Sequence, residues 1–307
     1  LMHDRKTCDL KISSINQIGT KAINIHLPVN GLSVHPGLVT ALIGSNGSGK
    51  TTLLEALVGL RMDYKVSAEL LGHNVKNFPS VAKSNLGVCF QSSNFSEGIH
   101  VRDIIKLHSK SYKMSQDLNL LNVLGISDIM RSRFIKLSGG QRKRLFLYFA
   151  LAHHPQIAIL DEPEASLDSQ GLEAVLKCLV VRSQKGFSTL VATHNPTVLS
   201  TSERVVYIEK GTVQFSGDKN AFFSSLLGTA VLEVDSKSVS NETVNRVIGH
   251  DNLHCFNGAR NEKLLVFGDQ FNLEKLKTSG LAELDKKSIL RDVRASDVFI
   301  WLNRGCE

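Results

Sequence analysis

Residues 38–43, Leu-Val-Thr-Ala-Leu-Ile, form a short and almost unbroken apolar run that ends in a glycine-rich loop and is followed by a helix-like stretch over 51–60. Similar runs recur at 157–160 and 189–192, each stopping where polar or acidic residues begin. Short apolar runs without polar alternation predict strands buried on both faces. Their alternation with helical stretches predicts a mainly parallel sheet covered by helices, with ligands at the carboxyl ends of the strands.

Between these runs, residues 101–134 carry apolar positions at helical spacing, with Leu107, Leu118, Leu121 and Leu124 expected to face a core. They predict a small helical subdomain over about 95–140. After Gly217 the pattern changes. Residues 231–234, 253–256 and 264–267 read as strands separated by polar segments, with a helix near 271–276 and a last helix over the apolar segment around Trp301. The expected organisation is a larger domain over 1–228 and a small α+β domain over 229–307, without internal repeats.

Composition narrows the function classes. With 307 residues, 42% hydrophobic and 21% charged, the chain is an ordinary globular one. Its longest apolar window, 145–152, falls far short of the roughly 20 residues a membrane span requires. The first residues, Leu1-Met2-His3-Asp4, lack the basic-then-apolar pattern of a secretory leader, so a cytoplasmic location is expected. Cys8, Cys89, Cys178, Cys255 and Cys306 are scattered without C-x-x-C spacing, which predicts reduced thiols packed in cores. The net charge of +7 favours anionic partners in principle, but no basic run exceeds Arg142-Lys143-Arg144, so solubility is the simpler reading.

Three segments carry chemistry. Gly44-Ser45-Asn46-Gly47-Ser48-Gly49-Lys50-Thr51 fits G-x-x-x-x-G-K-[ST] at every constrained position, between a strand and a helix. Such glycines let backbone N–H groups converge on phosphate oxygens, the lysine reaches the β and γ phosphates, and the threonine hydroxyl suits Mg²⁺. Asp161 and Glu162 follow the 157–160 strand directly, so both carboxylates stand at its carboxyl end. There one can hold Mg²⁺ and the other can polarise a water against the γ-phosphate. Leu137-Ser138-Gly139-Gly140-Gln141 is a glycine turn opening a helix, which makes a second anion site or, more plainly, a serine cap. Basic residues in that first turn oppose the helix dipole, so a purely local role explains them poorly.

This ordered set resembles ABC ATPases over roughly residues 9–217. Gly44–Thr51 corresponds to the Walker A loop, Gln91 after the strand at 86–90 to the Q-loop, and Leu137–Gln141 to the signature. Residues 157–162 correspond to Walker B, Ala165-Ser166-Leu167-Asp168 to the D-loop and His194 to the H-loop. The signature serine lies 23 positions before Asp161, room for one helix and one strand. The resemblance implies an α/β fold: a P-loop NTPase core with a mainly parallel sheet, an antiparallel N-terminal β portion and a helical signature subdomain, plus the small C-terminal α+β domain. It implies ATP and Mg²⁺ as ligands. Gly44 through Thr51, together with Thr52, would bind the nucleotide, while Thr51, Gln91 and Asp161 would hold the metal. Glu162, His194 and Gln91 would serve hydrolysis to ADP and phosphate, and Ser138, Gly139, Gly140 and Gln141 of a second copy would cap the ATP.

The implied partners are a second ATPase subunit, as homodimer or heterodimer, and separate transmembrane subunits of a transporter at the cytoplasmic face of the membrane. The tail's order of strands and helices is similar to accessory domains of exporter ATPases, so export is expected. The competing reading is a soluble ABC-type factor acting on nucleic acid or ribosomes. Such factors carry two ATPase units or a long coiled-coil insertion, and nucleic acid is therefore not expected as a partner. Two departures from the family pattern stand out: Ile15-Asn16-Gln17-Ile18-Gly19 offers no aromatic to stack on adenine, leaving Ile18 for apolar contact, and Ala165 replaces the usual D-loop serine. His153 and His154, before Pro155, are expected at a helix C-terminus rather than on a metal.

Overall fold

The computed structural model describes residues 9–18, 24–74, 84–90, 95, 98–235, 253–257, 263–278 and 288–303. Gln91, Gly19, Cys8 and Cys306 lie outside them. The chain forms two compact units, residues 1–216 and 217–307. Among the described residues no helix is long and apolar enough to cross a membrane.

Among the described residues, the first unit contains two sheets. Strands β1 (Leu10–Gln17), β2 (Leu32–Val34), β4 (Tyr64–Leu70) and β5 (His73–Asn74) form an antiparallel sheet in the order β2-β1-β4-β5, as the resemblance implied. Its apolar face alternates as pleating requires, with Leu10, Ile12, Leu32, Val34, Ala68 and Leu70 buried. The second sheet runs β10-β9-β3-β8-β7-β6, built from β3 (Val39–Ile43), β6 (Leu86–Cys89), β7 (Ile157–Asp161), β8 (Ser188–Ala192), β9 (Arg204–Glu209) and β10 (Thr212–Asp218). The four pairings β3–β8, β3–β9, β6–β7 and β7–β8 are all parallel. Every residue of β3, β7 and β8 is buried, which is why these strands read as continuous apolar runs.

Register places the site. Leu42 and Asp161 both pair with Ala192, so β3, β7 and β8 end at the same level, and whatever follows them converges. Helix α1 (Lys50–Leu57) follows β3, but it stops short of the expected 51–60 because Gly59, at φ 77°, turns the chain out of the helix.

The helical subdomain comprises α2 (Val101–Ser111), α3 (Leu118–Val123) and the opening of α4 (Gly139–Leu151). Leu121 and Leu124 are buried as expected, whereas Leu107 and Leu118 are 59% and 67% exposed. The correction follows from helix geometry. Helix α2 buries Val101, Ile104, Ile105 and Ser109, and Leu107 falls off that stripe. Leu118 is the first residue of α3, and a helical side chain leans over the preceding turn, which there does not exist.

His153 and His154 do lie just beyond the end of α4. The His153 ring bonds the Leu86 carbonyl through Nε2 at 3.2 Å and stacks on Tyr112 at 4.1 Å between centroids. Burial, ahead of its other surroundings, pushes its pKa from 6.5 down to about 4. Above pH 6.5 both folded and unfolded chains leave it neutral. Between that value and about 4 the unfolded chain binds a proton that the folded chain refuses, so stability falls as pH falls through this window. Thermal melting followed from pH 7 to 4 should show the decline, and His153→Phe, which keeps the ring, should make it shallower. An identical slope in the variant would assign the acid sensitivity elsewhere.

Helix α6 (Pro196–Thr201) belongs to the first unit, and the second unit includes α7 (Lys219–Leu227) and the sheet β12-β13-β11-β14, from β11 (Ala230–Asp235), β12 (His254–Asn257), β13 (Lys263–Gly268) and β14 (Ser288–Asp292). Among the described residues it also holds helices α8 (Gln270–Thr278) and α9 (Ala295–Asn303). Gly228, at φ 82°, lies so close to Gly268 that a Cβ would stand 2.4 Å from the Gly268 carbonyl carbon. In α9, Val298, Phe299 and Leu302 are buried, consistent with packing of the segment around Trp301. Asp297, 1% exposed, accepts from Arg291 Nη1 and Nη2 at 2.7 and 2.9 Å, while Arg291 Nε donates to Glu233 at 2.8 Å.

Candidate nucleotide site

The loop Gly44–Gly49 leaves β3 and runs into α1. Gly47 and Gly49 take φ values of 75° and 107°, which an L side chain resists. At Gly44 a Cβ would fall 2.2 Å from the Ile208 carbonyl oxygen, so only glycine lets the loop leave the sheet here. No side chain caps the start of α1, and the first N–H groups of a helix have no partner within it. The loop therefore ends in uncapped donors at the positive end of a helix dipole.

Lys50 is 6% exposed and its ammonium donates to the carbonyls of Gly44 and Ser45 at 2.9 and 3.0 Å. Burial lowers its pKa, while Glu162 and Asp161 act in the opposite sense. Both bonds are to neutral acceptors of the loop itself, so the charge is available to a phosphate. Thr51 Oγ1 donates to Asp161 Oδ2 at 2.9 Å. Asp161 is fully buried, its pKa is raised by that burial, and its Oδ1 has no protein partner. A buried carboxylate oxygen with nothing to accept is costly. A hydroxyl and a carboxylate with a spare oxygen are hard oxygen donors of the kind Mg²⁺ takes, so the residues present fit that ion.

Glu162 follows on the same turn, with its N–H bonded to Ala192 O at 2.9 Å and φ at 46°. That region is sparsely populated for residues with a Cβ and is tolerated where surrounding structure enforces it. Its carboxylate lies 3.3 Å from Nε2 of His194, which follows β8. Burial, then the Lys50 charge, lowers the His194 pKa, while Glu162 acts in the opposite sense. Thr193, one residue earlier, bonds Glu164 through its hydroxyl and accepts from Asn195 N at 2.9 Å. Glu164 has its pKa raised by burial, and its Oε2 is buried without a partner.

Thus Lys50, Thr51, Asp161, Glu162 and His194, separated widely in sequence, meet at the ends of three adjacent strands. Ser138–Gln141 behaves differently. Ser138 caps α4 in a reciprocal box, its hydroxyl accepting from Gln141 N at 3.2 Å and its N–H donating to Gln141 Oε1 at 3.0 Å. Among the described residues, no bond of this segment reaches Gly44–Thr51; instead Gly140 packs on the turn after β7, where a Cβ would stand 2.9 Å from Ser166 O.

Two residues of the basic triplet have partners outside their own helix. Arg142 donates to Ile135 O at 2.9 Å and lies over the Phe134 ring, and Lys143 reaches Asp161 O at 2.7 Å. Asp168 caps helix α5 (Ser169–Gln184) by accepting from Gly171 N at 2.8 Å. Ile18, at the end of β1, is 49% exposed. Glu164 and Thr193 were not legible as site residues, and Lys143 was marked only as one of the basic triplet, because its partner, the Asp161 carbonyl, lies on another element.

Comparison with known proteins agrees with this geometry. The family model described as ABC transporter matches residues 29–165, a span holding the phosphate loop, Ser138–Gln141, Asp161 and Glu162. The tungstate uptake system ATP-binding protein TupC of Peptoclostridium acidaminophilum is 32% identical over 204 residues, 64% of this chain and 92% of that protein. The Nod factor export ATP-binding protein I of Paraburkholderia xenovorans is 30% identical over 218 residues, 67% of this chain and 71% of that one. Among solved structures, an ATP-binding subunit of an ABC transporter superposes with a TM-score of 0.63 at 21% identity, covering 70% of this chain and 92% of its own. An ATP-binding cassette solved as a dimer with ADP and Pi gives 0.58 at 21% identity, covering 68% and 98%; at these identities the likeness is one of fold. A relative matched over nine-tenths of its length, with the motifs and the converged site in place, settles the assignment: the chain belongs to the ABC transporter family, as an ATP-binding subunit and ATPase.

Proposed function

We propose that this chain is the motor subunit of a transporter, working as a head-to-tail pair that closes around two ATP and drives separate transmembrane subunits. Lys50 exchanges its two loop carbonyls for phosphate oxygens, and the N–H groups of Gly44 through Thr52 surround the phosphates. Thr51, Asp161 and Gln91 would hold Mg²⁺, which would offset phosphate charge. Glu162 takes the proton of a water whose oxygen attacks the γ-phosphorus, and the bond to the β-phosphate oxygen breaks to release ADP. His194, beside Glu162, contacts the γ-phosphate. Ser138, Gly139, Gly140 and Gln141 of the partner copy close the open side and exclude solvent.

The observation that carries this reading is the convergence of Lys50, the Thr51–Asp161 pair and the Glu162–His194 pair at the carboxyl ends of β3, β7 and β8, while, among the described residues, Ser138–Gln141 of the same chain makes no bond to the phosphate loop. A segment with this composition and no use in its own site fits a role in a neighbour's. The proposed ATPase domain is 1–228, with 229–307 as an accessory domain. Export is the proposed direction, on the order of strands and helices in the tail and on the export relative. The test is the ATPase rate over a range of protein concentration. A composite site makes the rate rise more than linearly until the pair is saturated; a rate proportional to protein at every concentration would remove the shared site.

A further inference from the structure

Lys143 is a lysine in a dry place. It lies in the second turn of α4, is 6% exposed, and its ammonium donates to the main-chain oxygen of Asp161 at 2.7 Å. A buried ammonium persists only where charge and hydrogen bonds compensate it. Here the compensation comes from the turn after β7: both the Asp161 and Glu164 carboxylates feel its charge, and each has one buried oxygen without a protein partner. The Cys89 thiol at the end of β6 faces the same cation.

The same helix touches the same turn a second time. Gly140, in the first turn of α4, packs against Ser166 O, and Ser166 is itself held at φ 63°. Helix α4 therefore grips the 161–168 turn at two points, Asp161 through Lys143 and Ser166 through Gly140. Between those points sits Glu162 with its strained backbone. The start of α4 is the segment proposed to cap the partner's nucleotide, so the helix joins that cap to the chain's own hydrolytic carboxylate.

We propose that Lys143 is a positioning residue for hydrolysis: by pinning α4 to the Asp161 carbonyl it holds Glu162 in its working orientation and passes movement of the Ser138–Gly140 cap to that carboxylate. This rests on the roles proposed above for Glu162 and for Ser138–Gly140. Lys143 contributes nothing to phosphate binding directly, so its loss acts on turnover rather than on affinity.

The test compares wild type, Lys143→Met, which keeps the stem and removes the charge, and Lys143→Arg, which restores it. For Lys143→Met, kcat should fall about tenfold or more, the scale of one charged hydrogen bond, while KM for ATP stays within about twofold. Lys143→Arg should recover part of the loss. Wild-type kcat in Lys143→Met, or parallel losses of kcat, ATP affinity and melting temperature, would overturn the inference. If the methionine variant does not fold, Lys143→Gln, which retains a neutral donor, is judged by the same readout. Failure of the underlying reading looks different: there Glu162→Gln would hydrolyse ATP at the wild-type rate, whereas failure of this inference alone leaves Glu162→Gln inactive and Lys143→Met fully active.

Discussion

Glu162→Gln should bind ATP as the wild type does yet lose hydrolysis by roughly a hundred- to ten-thousandfold, the range that a positioned general base supplies. Glutamine keeps the size and one acceptor of glutamate but cannot take a proton from water. It also removes a negative charge beside Lys50 and Asp161, which favours the anionic nucleotide if anything. With hydrolysis blocked and the γ-phosphate in place, the ATP-closed pair persists, since a ligand that binds only the closed state stabilises it by mass action. Steady-state ATPase assays and size-exclusion chromatography with ATP check both halves. A variant as active as wild type would mean that Glu162 is not the base. A variant that is inactive but remains monomeric with ATP would leave the base intact and count against the paired mechanism.

The second large effect is expected at Lys50→Ala. The ammonium is almost fully buried and held by two carbonyls of its own loop, an arrangement that preorganises a charge for phosphate. Charge-assisted bonds of this kind contribute about 1.5–3 kcal/mol each, so losing the lysine should weaken ATP binding by roughly a hundredfold or more. The fold itself should tolerate the change, because a buried ammonium is costly and its removal leaves a loop already fixed by glycine conformations. The cleanest measurement is thermal melting with and without nucleotide. At about a hundred times Kd the wild type gains about 2.7 kcal/mol of stability, and the variant at the same ATP concentration should gain almost none. An unchanged ATP-dependent shift would mean that the loop does not bind the phosphates through Lys50.

How much of this was legible beforehand differs from residue to residue. The phosphate loop was readable because each of its demands is local: Gly47 and Gly49 need positive φ, Gly44 needs room beside Ile208, and Lys50 and Thr51 follow at fixed spacing. Strands β3, β7 and β8 were readable because burial on both faces leaves an uninterrupted apolar run. The face of α2 was misread at Leu107 since a helix segment rich in apolar residues offers more than one stripe, and only the packed neighbour selects between them. The partners of Arg142 and Lys143 were out of reach for a related reason. Helix-dipole arguments consider one helix alone, while Arg142 and Lys143 find their partners on Phe134, Ile135 and Asp161.

By itself, the sequence determined the class of ligand, the family and the residues at each end of the buried strands, because these follow from short-range stereochemistry and from the periodicity of burial. Tertiary structure alone decided that Asp161 carries a spare buried oxygen beside Thr51, that Glu162 meets His194, and that Lys143 and Glu164 lie beneath them. Those contacts join residues far apart in the chain, and their strength depends on exclusion of water, a property of the packed interior that no stretch of sequence possesses until it is buried.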